Sequence, residues 1–196
     1  MRIACWASVA ALLALAGCTG DAGGDVAEHP ARDTATSAPA ATPGAMPTVT
    51  ARTEDGATRL DIRTAAGATH TLTVTRDSTV APTAEPSPPA LVGTLGDSVL
   101  VLSDTYASIP GGMSFCQAGE ERFLRVIALT SGGARESHQT KLASCRTEIE
   151  LAEEGLTWNP DSALVRVHWL TGPAGSTEVR TLHIAADGAV RVAKEE

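Results

Sequence analysis

Thr58-Arg-Leu-Asp-Ile-Arg-Thr64 and the following Thr71-Leu-Thr-Val74 decide the fold class of this chain. The first stretch alternates, placing Leu60 and Ile62 on one face, and the second places Leu72 and Val74 together. A three-residue loop at Ala65-Ala66-Gly67, with Gly67 in the left-handed region, pairs Leu60 with Leu72 and Thr58 with Val74. That register sets all four inward positions on a common face. Near the C-terminus the same grammar recurs: Thr181-Leu-His-Ile184 and Ala189-Val-Arg-Val192 flank Ala186-Asp187-Gly188, pairing Ile184 with Val190 and Leu182 with Val192. The two hairpins look alike, but two instances do not make a repeat array.

Further strands are expected near Leu91–Thr94, Ser98–Leu102, Arg122–Leu129, Ser137–Ala143, Glu148–Leu151 and Leu164–Trp169. No segment carries an amphipathic helical period of ten residues or more, so the fold class is all-β. About ten short antiparallel strands over residues 48–196 suit a sandwich or a small, partly closed barrel. Ala81–Pro89 holds four prolines and reads as a surface loop rather than a central strand.

The chain has 196 residues, with 15 Lys and Arg against 23 Asp and Glu, a formal charge of −8. That balance argues against a phosphate-neutralising nucleic-acid binder, and six aromatic residues are too few for a base-stacking groove. From Thr19 to Pro47 the composition is Ala, Thr, Gly, Pro, Asp and Ser with almost no large apolar side chain. Such a stretch buries too little surface to offset its ordering entropy. Residues 18–47 are therefore expected to be a disordered tether, with a random-coil span on the order of 30 Å.

At the N-terminus, Met1 and Arg2 precede an almost unbroken apolar run, Ile3–Ala16, that ends in Leu15-Ala16-Gly17-Cys18. Residues 1–17 have the layout of a secretion signal, too short to span a bilayer as a lasting helix. The tetrapeptide resembles the lipobox of bacterial lipoproteins. That resemblance implies cleavage ahead of Cys18 and acylation of its thiol, and several acyl chains hold a protein on a membrane where one does not. Thr19 stands where inner-membrane lipoproteins commonly carry aspartate, so the resemblance implies an outer-membrane, periplasm-facing protein. Loss of Arg2 with the leader leaves the mature chain more acidic still, so an anionic leaflet repels it on average and the anchor does the holding.

With Cys5 removed and Cys18 acylated, Cys116 and Cys145 are the remaining thiols, and export places them in an oxidising compartment where a disulfide is the default. Their midpoint falls near Ser131-Gly132-Gly133, the turn expected between two strands, so the bond would clamp the hairpin's open end. Closing a loop of about 30 residues stabilises by roughly 3–4 kcal/mol in the chain-entropy account. The pair lacks C-x-x-C spacing and has no neighbouring His, which weighs against a redox or metal role.

No nucleophile elbow, zinc-helix motif, phosphate loop or dinucleotide fingerprint is present, and no cofactor or metal is implied. His168 and His183 are the most interesting imidazoles: with Val165 and Val167 opposite Ile184 and Leu182, they become diagonal neighbours on one sheet face. Glu120, Glu121, Glu148 and Glu150, with Glu153 and Glu154, gather on either side of the expected disulfide hairpin and would form an acidic surface. Asp104–Phe115 reads as a loop, its Tyr106 and Phe115 forming either a recognition tip beside that surface or an inward plug of the sandwich. The stretch from Phe115-Cys-Gln-Ala-Gly-Glu-Glu121 through Leu142-Ala-Ser-Cys145 resembles segments of uncharacterised proteobacterial envelope proteins, a resemblance that implies a setting but no activity.

Taken together these residues lead to an expectation of a lipid-anchored, non-catalytic β domain that binds a protein or another envelope component, with a cationic protein as the partner an acidic patch would suit. Three rivals remain at this point. One is a periplasmic lysozyme inhibitor, resting on charge and compartment. Another is a metal-dependent hydrolase using His168 and His183. The third is a purely structural envelope protein.

Overall fold

A computed structural model describes residues 45–110, 119–147, 149–171 and 175–195, apart from the side chains of Glu154 and Glu195. The expected leader (1–17) and the expected tether (18–47) up to residue 44, with Cys18, lie outside the described residues. Eleven strands run in chain order: β1 Thr48–Glu54, β2 Ala57–Arg63, β3 Thr69–Val74, β4 Ala90–Leu95, β5 Val99–Ala107, β6 Glu120–Thr130, β7 Gly133–Ser144, β8 Ile149–Asn159, β9 Leu164–Thr171, β10 Ser176–Ile184 and β11 Val190–Glu195. All pairings are antiparallel. The fold is all-β, as the alternation requires.

Both expected hairpins form in the expected register. Leu60 faces Leu72 and Thr58 faces Val74, while Leu182 faces Val192 and Ile184 faces Val190. The reason is local. Thr64 N donates to Ala68 O at 2.8 Å and Ala185 N to Ala189 O at 2.8 Å, closing two three-residue loops of the same kind. Gly67 (φ 86°) and Gly188 (φ 82°) supply the left-handed residue that each needs.

Strands β1–β3 form one small sheet, and the other eight form a single meander in the order β11-β10-β9-β8-β7-β6-β5-β4. This long sheet does not close into a barrel. It folds over instead at the β7–β8 junction, where the ladder is reduced to Ser144 opposite Ile149. Folding brings Val99, Val101, Leu124, Val126 and Leu142 from one half against Val165, Val167, Trp169, Leu182 and Ile184 from the other. Gly93 of β4 lies so close to Trp158 of β8 that a Cβ there would sit 2.4 Å from the indole nitrogen. The meander is thus a sandwich made from one sheet.

The small sheet adds a third layer, packing Leu60, Ile62 and Val74 onto Leu100, Leu102, Ile127 and Leu129. Strands β5 and β6 are consequently covered on both faces, and Val99 to Leu102 and Phe123 to Ala128 are all buried. The expected sandwich is present, with the small sheet as a third layer upon it. The continuous apolar runs of β5 and β6 are the sequence mark of two-sided burial.

The eleven strands agree with the expected number of about ten; β1 is the one not foreseen, because its inward residues Val49, Ala51 and Thr53 are small or polar and leave a weak alternation. Two expectations are corrected. Tyr106 and Asp104 belong to β5, not to a loop. Val165 faces Leu182 and Val167 faces Arg180, two residues away from the expected register. A two-residue slip keeps every side chain on its face, which is why the hydrophobic pattern alone did not reveal it.

The proline stretch is a loop, but an ordered one. Ala81 N donates to Ala107 O and Ser87 N to Thr105 O, and Val80 bridges Ser108, so the segment runs along β5 beyond the end of β4. Prolines on this edge remove the donors that would invite a further strand.

Two substitutions test the layering. Leu60→Ala, opening a cavity between the small sheet and the middle layer, is expected to cost about 2–5 kcal/mol in urea unfolding. Gly93→Val, forced against Trp158, should cost about 1–3 kcal/mol; wild-type stability in either variant contradicts the packing.

Candidate functional site

The interface between the small sheet and the β5–β7 half is apolar at one end and polar at the other. Alternation along β5 carries Leu100 and Leu102 to the apolar end, then Asp104 and Tyr106 to the polar end. β6 does the same in reverse with Ile127, Arg125, Phe123 and Glu121. All four polar side chains among these are buried: Asp104 and Arg125 are each 1% exposed, Tyr106 2% and Glu121 fully covered.

Three of them are joined directly. Arg125 Nε donates to Asp104 Oδ2 at 2.6 Å, and its Nη1 donates to Glu136 Oε1 at 2.6 Å and Gln139 Oε1 at 3.2 Å. Tyr106 donates its hydroxyl to the same Asp104 oxygen at 2.5 Å and sets its ring edge-on to Phe123, centroids 6.0 Å apart at 64°. The Arg125 guanidinium also lies over the Phe123 ring, 5.5 Å from its centre. Asp104 Oδ1 and Arg125 Nη2 find no partner among the described residues.

A second cluster adjoins the first. Glu121 accepts from Ser108 Oγ at 2.8 Å, and its other oxygen lies 2.8 Å from Thr79 Oγ1. Lys141 donates to Thr79 Oγ1 at 3.0 Å and pairs with Asp77 at 3.2 Å and Glu121 at 3.5 Å. Arg76 donates to the carbonyls of Ala81 at 3.2 Å and Pro82 at 2.9 Å, and to the hydroxyls of Thr58 and Thr53. The proline segment is pinned over the polar end of the interface by these contacts.

The electrostatics follow from burial and neighbours. Burial first, and the charge of Asp104 second, push the Tyr106 hydroxyl up to about 12. Burial works against the Arg125 charge, but Asp104, Tyr106 and Glu136 outweigh it and raise the guanidinium above its ordinary value. Burial likewise works against ionised Asp77, yet hydrogen bonds from the Thr79 hydroxyl and amide, with the Lys141 charge, hold its carboxyl below the usual range. Burial alone lowers His138. Asp104, Arg125 and Glu121 are engaged in joining two layers and are closed off from solvent.

The residues expected to form an acidic patch are dispersed. Glu120, Glu150 and Glu153 are exposed, whereas Glu121 and Tyr106 are buried and cannot meet a partner at the surface. For Tyr106 the inward plug is the reading that holds. Glu121 carries no local sign of its interior position, because its partners Thr79, Ser108 and Lys141 are all distant in sequence. Glu148, Phe115 and Cys116 lie outside the described residues. Cys145 sits against Gly119, its Sγ 2.8 Å from where a Cβ on that glycine would be.

The two histidines are also separated. His168 faces Val179 and His183 faces Leu164, so four residues of β9, about 13 Å, lie between their rows. A shared metal needs both imidazoles within about 2.1 Å of one ion, so the bridging expectation is corrected. No group of three or more His, Cys, Asp or Glu placed to hold a metal occurs among the described residues. A small cleft of about 130 Å³ opens between the sandwich halves, lined by Lys141, Ile149, Trp169, Glu178 and Arg180 with two threonines. Arg180 covers the Trp169 ring at 5.4 Å while pairing with Glu178 at 2.7 Å, so its floor and its charges are already occupied.

Comparison with protein-family models, with curated proteins and with solved structures finds no match for this chain.

Two outcomes follow from the buried network. Arg125→Met alone is expected to lose about 3–5 kcal/mol by stranding Asp104, while Arg125→Met with Asp104→Leu recovers most of it; equal losses in urea unfolding contradict that account. Tyr106 is the single tyrosine, so its ionisation is directly visible in the ultraviolet. The native protein is expected to titrate near pH 12 and the unfolded chain near its ordinary value of 10. Because the folded value is the higher, this contribution to stability is whole below pH 10 and disappears as the pH rises toward 12. A native midpoint at 10 contradicts the burial.

Proposed function

We propose that this chain is an outer-membrane lipoprotein, anchored through acyl chains on Cys18, whose periplasmic β domain binds a protein or another envelope component and is not an enzyme. The observation that carries the reading is Leu15-Ala-Gly-Cys18, standing where the charged start and apolar run of residues 1–16 require a processing site. Support for binding over catalysis comes from the buried network. The ionic groups that the fold assembles, Asp104, Arg125 and Glu136 with Glu121, Lys141 and Asp77, neutralise one another between layers, where a catalytic group needs reach to a substrate.

The lysozyme-inhibitor reading depended on a continuous acidic surface. With Glu121 interior, Glu120, Glu150 and Glu153 are what remains of its expected members among the described residues. A cationic protein partner is correspondingly less favoured.

A Cys116–Cys145 disulfide belongs to the same proposal. The contact of Cys145 with Gly119, and the hydrogen bond its amide donates to Glu120 O at 3.4 Å, bring it to the chain just after Cys116 and support this pairing. The open end of the β6–β7 hairpin is where such a bond would act.

Mass spectrometry of protein from intact cells tests the anchor: loss of residues 1–17 and acyl mass on Cys18 are expected, and Cys18→Ser should abolish both. An intact Met1 overturns the reading. Thiol titration of the denatured protein under non-reducing conditions is expected to find neither Cys116 nor Cys145 reactive, and free thiols at both positions overturn the disulfide.

A further inference from the structure

The buried pair Asp104–Arg125 makes half of the contact that its chemistry allows. A guanidinium presents Nε and Nη2 along one edge, matched to the two oxygens of a carboxylate, and the full pairing uses both. Nε of Arg125 donates to Asp104 Oδ2 at 2.6 Å. Nη2 and Asp104 Oδ1 make no hydrogen bond to each other or to any other described residue. Both side chains are 1% exposed, so bulk solvent does not serve the two atoms. A buried donor and a buried acceptor left in this way are each unfavourable, and buried polar groups in native proteins nearly always have partners.

The neighbours hold the fork open. Nη1 reaches Glu136 Oε1 at 2.6 Å and Gln139 Oε1 at 3.2 Å on β7, so the guanidinium is stretched between acceptors on β5 and β7. Asp104 Oδ2 also accepts the Tyr106 hydroxyl at 2.5 Å, which ties the carboxylate in turn. Nε and Nη2 share one carbon, and Oδ1 and Oδ2 share another. The single 2.6 Å contact therefore keeps the two unpaired atoms near each other, although no bond closes between them. One donor and one acceptor are left on adjacent corners of the same ion pair.

We propose that these two corners form a binding site for one internal water molecule, which accepts from Arg125 Nη2 and donates to Asp104 Oδ1. The chemistry of the corners selects the ligand. An anion drawn to Nη2 meets the Asp104 carboxylate, and a cation drawn to Oδ1 meets the guanidinium, so neither charge suits the site. A neutral molecule that accepts on one side and donates on the other suits both. Water is the smallest such molecule, and interiors hold it where otherwise unsatisfied polar groups converge. A bond bridged in this way is nearly as favourable as a direct one, so the water completes the ion pair. Asp104 and Arg125 stand at the polar end of the interface under the small sheet, and exchange of this water with bulk solvent requires the layers to part. The site belongs to the joint between layers and is independent of the anchor at Cys18.

Two measurements test it, both on the full chain made without its leader and carrying Cys18→Ser. A crystal structure that resolves ordered water is expected to show a single peak at about 2.7–3.2 Å from both Asp104 Oδ1 and Arg125 Nη2. In solution, magnetic relaxation dispersion of the water signal counts molecules held longer than the protein tumbles. The folded double variant Arg125→Met with Asp104→Leu, in which both corners are apolar, is expected to hold one such water fewer than the wild type. A direct Nη2–Oδ1 bond with no peak beside it overturns the proposal. So does an anomalous signal from bromide at the peak after halide soaking, which identifies an anion. An unchanged count in the folded double variant overturns it as well, since other groups then hold the water. Should the double variant fail to fold, the wild-type crystal structure decides alone.

Discussion

Because β5 and β6 are covered on both faces, the charges that β6 sends into the interlayer space have no water to turn to and must find partners inside. Arg125 finds Asp104, Glu136 and Gln139; Glu121 finds Ser108, Thr79 and Lys141. Much of the remaining architecture follows from this requirement. The small sheet and the proline segment are positioned so that their inward groups either extend the apolar end of the interface or complete the polar end. An isolated buried charge costs several kcal/mol, so a displaced layer would strand Arg125 or Glu121 at a penalty comparable to a domain's whole stability.

The proline segment shows how one stretch serves two purposes. Its missing donors blunt the edge of the long sheet where β4 ends. Its carbonyls, at Ala81 and Pro82, receive Arg76, whose guanidinium also stacks 5.6 Å from the centre of the Tyr106 ring. Anchoring a loop through backbone acceptors suits a sequence that has few donors of its own. The opposite edge, β11, carries Arg191 and Lys194 in place of prolines, so one end of the sheet is closed by covalent geometry and the other by charge.

Net charge misleads about such a surface. A total of −8 describes the repulsion felt at a distance, whereas contact is governed by the few groups within a Debye length of the partner. The acids expected to form a common patch are split between surface and interior, Glu121 inside and Glu120, Glu150 and Glu153 outside, an arrangement with no signature in composition.

How much was legible depended on how far the deciding interaction reaches. The sequence by itself determined the all-β class and both three-residue hairpins, with their registers, because Gly67 and Gly188 fix a turn whose two strands adjoin it in the chain. It also determined that the proline stretch is a loop, since missing donors are a local property. Only the tertiary structure decided that Tyr106 and Glu121 are interior, that His168 and His183 stand apart, and that the meander folds at β7–β8 beneath a third layer. Each of those depends on which distant strand supplies the counter-charge or the facing methyl groups. A period of two names the face a residue occupies but says nothing of what lies against it, so a strand buried on one side and a strand buried on both differ only by the partners that folding brings.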